Sequence, residues 1–389
     1  MSRLEFDFEP LNKVLEGKEI TEDDAYELFS HSKYDSEKIF KVANDLRDHN
    51  KGKVVSFSKK AFFNIVNLCR DTCSYCTYKA EIDESKLSMM NIDDVKNLAE
   101  SARKLRCVEA LLVTGESPEQ KYDEVSKWLR QNGFSSTGEY LAHCSELLLD
   151  EGLFPHTNAG NLNKSEMNEL KKTNVSMGLM LENSSHRLAE KGMPHHDAPS
   201  KDPKARIRIL KNAGELKIPM TTGILVGIGE NEHEIIDSLF TIKTLHKQFG
   251  NIQEVILQNF EPKHDTKMKD HPSTSQEYFK RIVAMSRIIL PEMNIQIPPN
   301  LSPTNYDDFL DVGINDWGGI SPITVDYVNP EFAWPQINTL EKKCTAQDFE
   351  LKARFPVYPE FISMINSNLK EKIERLSDDE NYVRREFWR

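Results

Sequence analysis

From about residue 53 the chain alternates short apolar runs with amphipathic stretches. The runs FFNIVNL (62–68), EALLVT (109–114), VSMGLML (175–181), PMTTGILVG (219–227), EVILQNF (254–260) and NIQIPPN (294–300) have the length and composition of strands. PHTNAG (155–160) and VGINDWGG (312–319) are weak by composition and are included because the spacing asks for them. Between them, Ile92, Val95, Leu98, Ala99, Ala102 and Leu105 share one helical face behind Asn91 and Asp94, and Ile235, Ile236, Leu239, Phe240 and Phe249 share another that Gly250 ends. Ser165 is read as the cap of a helix at 166–172, and 203–213 and 276–289 are helical by pattern. Eight strand–helix alternations predict an α/β fold, a parallel (β/α)8 TIM-type barrel, with a doubly wound open sheet as the alternative.

The flanks differ. Residues 1–52 read as a helical extension, with Thr21 and Ser36 as N-caps before acidic first turns, and residues 345–389 read as a charged helical tail. The expected division is therefore an N-terminal helical extension (1–52), a barrel (53–344) and a C-terminal helical tail (345–389). There is no internal repeat and no low-complexity linker.

With 50 basic against 62 acidic side chains the net charge is −12, and no basic stripe interrupts it, which argues against a general nucleic-acid binder. No apolar run approaches the roughly 20 residues of a membrane span, and MSRLEFDFEP lacks a signal-peptide pattern. A cytoplasmic protein without membrane or nucleic-acid partners is expected. Of the six cysteines, Cys107, Cys144 and Cys344 are scattered and read as small buried hydrophobes.

The other three stand together. NLCRDTCSYCTYKAE places Cys69, Cys73 and Cys76 on one tight loop directly after the first candidate strand. Three thiolates on one tight loop can ligate three irons of a cubic 4Fe–4S cluster, which leaves the fourth open to a substrate or cofactor. A structural zinc site would want a fourth Cys or His, a disulfide suits neither an odd number nor a reducing compartment, and a ferredoxin-type carrier would bring a fourth Cys nearby.

The spacing, with Tyr75 just before the last cysteine, resembles the signature of the radical S-adenosylmethionine superfamily. The resemblance implies two cofactors, a 4Fe–4S cluster and S-adenosylmethionine, with the open iron chelating the methionine end and one electron releasing a 5′-deoxyadenosyl radical. Matching elements follow on later strands. Thr114-Gly115-Glu116 is similar to the family's Gly-Gly-Glu turn, which implies Gly115 and Glu116 at the methionine amino group. Glu182 is implied at the ribose hydroxyls and Arg187 at the methionine carboxylate. Gly223, Leu225 and Gly227 resemble the family's G-x-I-x-G-x-x-E element, with Leu225 replacing Ile, and are implied at the adenine; Tyr75 and Tyr78 complete the set. Taken alone, that glycine run would read as a phosphate loop, but it has no Gly-Lys-Ser/Thr and no acidic residue about 20 positions on.

Within the superfamily, LCRDTCSYCTY (68–78), ALLVTGESPE (110–119), EYLAHCSELLLDEGLFPHTNAG (139–160), MLENSSHRL (180–188), TTGILVGIGE (221–230), LQNFEPK (257–263) and INDWGGISPITVDYVNPE (314–331) resemble the radical subunit of the 7,8-didemethyl-8-hydroxy-5-deazariboflavin synthases. The most specific are PHTNAG and INDWGGISP. This resemblance implies a lyase-type synthase that takes a tyrosine-derived 4-hydroxybenzyl adduct of a ribityl-aminouracil to the deazaflavin of coenzyme F(420), with loss of ammonia. It also implies a low-potential electron donor and a sister radical enzyme as partners. Polar residues near strand ends are candidates for the ribityl and pyrimidine groups: His156, Asn158, Gln258, Asn259, Asn300, Asn315 and Asp316, with Trp317 as a stacking surface. His195 and His196 sit in a Pro-rich loop, either solvated or lying over the substrate. The sister condensing enzyme, a menaquinone-type radical synthase and a non-catalytic iron–sulfur scaffold are the competing readings.

Overall fold

The strand rhythm closes on itself. In the computed structural model, which describes residues 9–389, eight parallel strands run β1 (Val54–Val66), β2 (Glu109–Thr114), β3 (Phe154–Asn158), β4 (Ser176–Gly178), β5 (Met220–Val226), β6 (Ile252–Asn259), β7 (Asn294–Gln296) and β8 (Asp316–Ile320). Each pairs with the next, and β1 pairs with both β8 and β2, so the sheet is a closed TIM-type barrel ringed by helices. The first eight residues, on which the signal-peptide expectation partly rests, lie outside the described residues. Among the described residues no helix is long and apolar enough to cross a membrane.

Helix boundaries follow their caps. Asn91 and Asn231 each form a reciprocal capping box, with Asp94 and with Glu234, and Gly250 ends the helix Glu232–Phe249 in the left-handed conformation. Two expected caps fall elsewhere. Ser165 lies inside the helix Lys164–Leu170, whose capping box is Asn163 with Glu166. Ser36 lies inside one continuous helix, Glu22–Lys51, capped by Thr21; no Pro or Gly interrupts it, and Arg281 of the helix Gln276–Ile289 donates to Phe29 O along its flank.

β1 starts eight residues before the apolar run that announced it, because Lys59 and Lys60 mask its first half. Lys59 reaches Trp388 O, and Lys60 turns into the barrel to pair with Glu109 at 2.8 Å. The C-terminal stretch, expected to be helical, instead opens with a ninth strand, β9 (Glu350–Ala353). It pairs with Val54–Phe57 on the edge of β1 that β2 does not yet occupy. The chain then crosses the N-terminal end of the barrel. Arg354 bonds Asp316 of β8 and Glu254 of β6, Phe355 packs edge-on against Phe154 of β3, and Pro356 O accepts from Ser176 of β4 and Gln253 of β6. Residues 354–358 thus form a floor across the bottom of the barrel.

Candidate active site

The cysteine loop leaves the top of β1 and lies across the barrel mouth. Its backbone is tied to the loops after β4 and β6, with Thr72 N on Asp197 O, Ser74 N on Pro194 O and Met268 N on Ser74 O; Thr77 Oγ1 donates to Val328 O after β8. Gly115 lets the end of β2 press against it, since a Cβ there would fall 2.0 Å from Leu68 O. The next amide, Glu116 N, donates to Cys69 Sγ at 3.2 Å.

Cys69, Cys73 and Cys76 are half-buried, unpaired, and line one cavity of about 290 Å³. Burial pushes the Cys69 thiol up to about 11 and the Cys73 thiol up to about 12. Such thiols ligate only when a cation replaces their protons. A single tetrahedral zinc would hold its sulfurs about 3.8 Å apart on bonds of about 2.3 Å. Among the described residues, the His/Cys/Asp/Glu group whose ligand atoms all lie within 4.8 Å of one another is the exposed His264, Asp265 and Glu331; the three cysteines are not such a group. A thiol-only donor set, spread wider than one ion needs and with an N–H on one sulfur, fits an iron–sulfur cluster.

Opposite the thiols stands a charged wall. Glu182 takes a left-handed φ of +64°, held by its own N–H on Gly223 O and by Leu225 N on its carbonyl. Such a conformation costs a non-glycine residue roughly 1 kcal/mol. The turn aims its carboxylate at Lys201 Nζ, 2.5 Å away. Burial pushes the Glu182 carboxyl up, but Lys201 and Arg206 outweigh it and hold it below the ordinary value. Glu116 accepts from Asn161 N at 3.0 Å. Lys263 is buried on the same cavity, and burial lowers its ammonium. Lys201, Arg206 and Lys263 carry no strand-end signal that the sequence reading could use; Lys263 sits four residues past the end of β6, in LQNFEPK.

The expected cofactor residues divide. Tyr75, Tyr78, Gly115, Glu116, Glu182 and Leu225 line the cavity. Tyr75 is buried against His195, its hydroxyl 3.0 Å from Nε2. That pairing places His195 behind the cysteine loop, and burial drives its imidazole down to about 3; His196 is exposed. Arg187 does not reach the cavity wall, because its guanidinium forks onto Glu234 at 2.8 and 2.6 Å and onto Gly229 O. Gly223 and Gly227 do not reach it either. Gly223 lets β6 approach (a Cβ would fall 2.0 Å from Ile256 O), and the Gly227 and Ile228 amides are capped by Glu230.

The expected substrate residues also divide. Asn158 and Gln258 line this cavity and also a second one of about 160 Å³ below it in the barrel; Asn259 lines the upper and His156 the lower. Trp317 touches the lower cavity, though its ring is fully buried with Nε1 on Cys344 Sγ at 3.3 Å. Asn315 and Asp316, expected near the active end of a strand, are corrected to the bottom of the barrel, since β8 begins at Asp316 rather than ending there. Asn315 is consumed by Arg287, Ile295 N and Asn294. Asn300 is buried in the turn after β7, donating to Asp326 and Phe332 O, and lines neither cavity.

Known proteins resemble this chain over most of its length. The family model described as the radical SAM superfamily matches residues 63–242. A 7,8-didemethyl-8-hydroxy-5-deazariboflavin synthase of Methanopyrus kandleri is 43% identical over 334 residues, covering 85% of this chain and 100% of that one. One from Methanococcus maripaludis strain C6 is 42% identical over 340 residues, covering 87% and 95%. An FO synthase of Nocardia farcinica is 41% identical over 327 residues, 82% of this chain but 38% of that longer protein. Among solved structures, methylornithine synthase superposes with a TM-score of 0.67 at 18% identity, covering 88% of this chain and 97% of that one. The FeFe-hydrogenase maturase HydG from Carboxydothermus hydrogenoformans gives 0.71 at 20%, covering 93% and 86%. The structural likenesses speak for the barrel alone.

Proposed function

The chain belongs to the radical SAM superfamily and, within it, to the 7,8-didemethyl-8-hydroxy-5-deazariboflavin synthases, and from that premise we propose how its two cavities divide the work of deazaflavin synthesis for coenzyme F(420). As a member, it is an enzyme that uses a 4Fe–4S cluster and S-adenosylmethionine. When bound, these supply one electron and a carbon radical able to take hydrogen from an unactivated position.

The chain's own residues do the rest. Cys69, Cys73 and Cys76 hold the cluster, and the Glu116 amide fixes the Cys69 sulfur. Glu182 presents a carboxylate kept ionised by Lys201 and Arg206, suited to ribose hydroxyls. Leu225 and Tyr75 pack with Leu188, Ile228 and Phe260 into a small apolar cluster beside the cysteines that keeps water from the reacting atoms. With Arg187 committed to Glu234, Lys263 is the cation on the cavity with no side-chain partner among the described residues, and we assign it to the methionine carboxylate. The substrate is the 4-hydroxybenzyl adduct of a ribityl-aminouracil, and the reaction releases ammonia on ring closure. A sister radical enzyme supplies that adduct, and a low-potential donor supplies the electron.

The observation that carries this reading is the placement of three free thiols of one loop on a cavity continuous with a polar barrel interior. The test is anaerobic reconstitution with iron and sulfide, then incubation with S-adenosylmethionine, a low-potential reductant and the tyrosine-derived adduct. Deazaflavin fluorescence rising with 5′-deoxyadenosine is expected. Consumption of S-adenosylmethionine without deazaflavin would overturn the substrate assignment.

A further inference from the structure

The lower chamber holds none of the thiols, and its chemistry differs from that of the upper cavity. The two are one space: Phe62, Leu111, Asn158, Gln258, Asp326 and Val328 line both. At this neck, Asn158 of β3 and Gln258 of β6 carry side-chain amides with no hydrogen-bond partner among the described residues, each offering a donor and an acceptor. Below the neck the charges are already matched. Lys60 pairs with Glu109 at 2.8 Å, and Arg354 with Asp316 at 2.7 Å and Glu254 at 2.9 Å. His156 is fixed as an acceptor. Ser176 Oγ gives its proton to Pro356 O, so it accepts from His156 Nδ1–H at 2.7 Å, which leaves Nε2 unprotonated.

Glycines hollow this chamber out. A Cβ at Gly319 would fall 1.7 Å from Lys60 Cε, one at Gly318 2.1 Å from Gln296 Nε2, and one at Gly178 2.8 Å from His156 Nε2. PHTNAG supplies the neck amide and the histidine, and INDWGGISP supplies two of these glycines. The two motifs most specific to the sequence therefore meet around one volume.

We propose that the lower chamber is the subsite for the uncharged ribityl–pyrimidine half of the substrate: Asn158 and Gln258 read the pyrimidinedione at the neck, the Lys60–Glu109 pair and His156 receive the polyol beneath, and the phenol is left facing the cysteine loop. The inference rests on the deazaflavin reading. An imide edge alternates C=O and N–H, which a carboxamide matches with its own pair. A polyol wants many fixed donors and acceptors and no net charge. A phosphate ester would meet two cations already committed among the carboxylates of Glu109, Glu254, Asp316 and Asp326, so the chamber selects the free alcohol against the ester.

Equilibrium binding of the fluorescent deazaflavin itself tests this without turnover, by anisotropy on the anaerobically reconstituted protein. Three probes are compared: the ribityl compound, its terminal phosphate ester, and the ring lacking the ribityl chain. Wild type should bind the ester at least about tenfold more weakly than the free alcohol. Gln258→Ala should weaken the ribityl compound and the bare ring alike, by about tenfold. The double variant Lys60→Met/Glu109→Gln, which removes both charges together, should weaken the ribityl compound and leave binding of the bare ring as in wild type. An ester that binds as well as the alcohol, or variants that bind all probes as wild type does, would overturn the placement even while the enzyme makes deazaflavin. A wild type that cleaves S-adenosylmethionine but neither makes nor binds deazaflavin would remove the underlying functional reading instead.

Discussion

At Gly115 one methyl group decides whether the cysteine loop keeps its place. An alanine Cβ would sit 2.0 Å from Leu68 O and 2.8 Å from the Cys69 Cα, and both obstacles are backbone. Gly115→Ala should therefore lower iron per chain after reconstitution well below wild type while circular dichroism stays barrel-like; full iron content would show that the loop can shift. At His156 the measurable quantity is stability. Burial, reinforced by Lys60 and Arg354 and only partly opposed by Glu109, lowers its imidazole to about 4, against ~6.5 in an unfolded chain. The unfolded chain binds more protons between those values, so this contribution is complete above about pH 6.5 and is lost as pH falls towards 4, at up to about 1.4 kcal/mol per unit. Urea midpoints taken from about pH 7.5 to about 4.5 should fall along that slope, less steeply in His156→Gln; parallel slopes would refute it. Arg187→Ala should cost roughly 1 kcal/mol through its half-exposed fork with Glu234 and leave the dissociation constant of S-adenosylmethionine nearly unchanged. A hundredfold loss of affinity would show that the guanidinium turns inward on binding. That the thiols, Glu116 and Glu182 share one cavity was legible because strand-end position and chemistry coincide there. The commitment of Arg187 was not legible because its partner, Glu234, lies 47 positions away on another element, and the place of Lys263 on the cavity was missed because nothing local marks a buried cation.

Elements were legible in proportion to their apolar contrast. β2 and the helix Gln276–Ile289 fall where the pattern put them, since each is a clean run between turn signals. β1 was cut short by Lys59 and Lys60, whose polar side chains are satisfied only by distant groups. β8 was shifted because VGINDWGG mixes turn residues with strand residues, and register was set by pairing with β1 and β7 instead. β9 was not legible at all. Its four residues are held by an edge that exists only because β1 begins before it reaches the start of β2. The floor that follows makes a sharp prediction. Arg354→Met strands Asp316 and Glu254 without their cation, and loss of one partner from a buried ionic group costs about 3–5 kcal/mol. Burial already pushes the Glu254 carboxyl up, so neutralising it softens the penalty, and a loss near about 3 kcal/mol in denaturant unfolding is the expected figure. A shift within error would mean the floor is not integral to the barrel.

For the whole molecule, the barrel's stability and its cofactor chemistry are separable. The three cysteines lie outside the main core, and Cys73 and Cys76 pack at the edge of the small cluster around Tyr75 and Phe260. A triple Cys69→Ala, Cys73→Ala, Cys76→Ala variant should fold with an unchanged far-ultraviolet spectrum yet take up no iron and form no 5′-deoxyadenosine; a variant that does not fold would show that the loop is a structural element of the barrel. The architecture as a whole was legible because eight alternations leave few topologies. The lower chamber was not, because it is built from charges that neutralise one another across strands far apart in sequence.

The floor also has a consequence in time. A chain leaving the ribosome exposes β1 first and residues 354–358 nearly last, so the eight-stranded wall is available before anything seals its lower end. Until then the chamber is an open tube, with Glu254 and Asp316 facing solvent through it. The pocket is completed by the final tenth or so of the chain, and a message cut short before Arg354 yields a barrel with a mouth at each end and no place to hold a radical away from water.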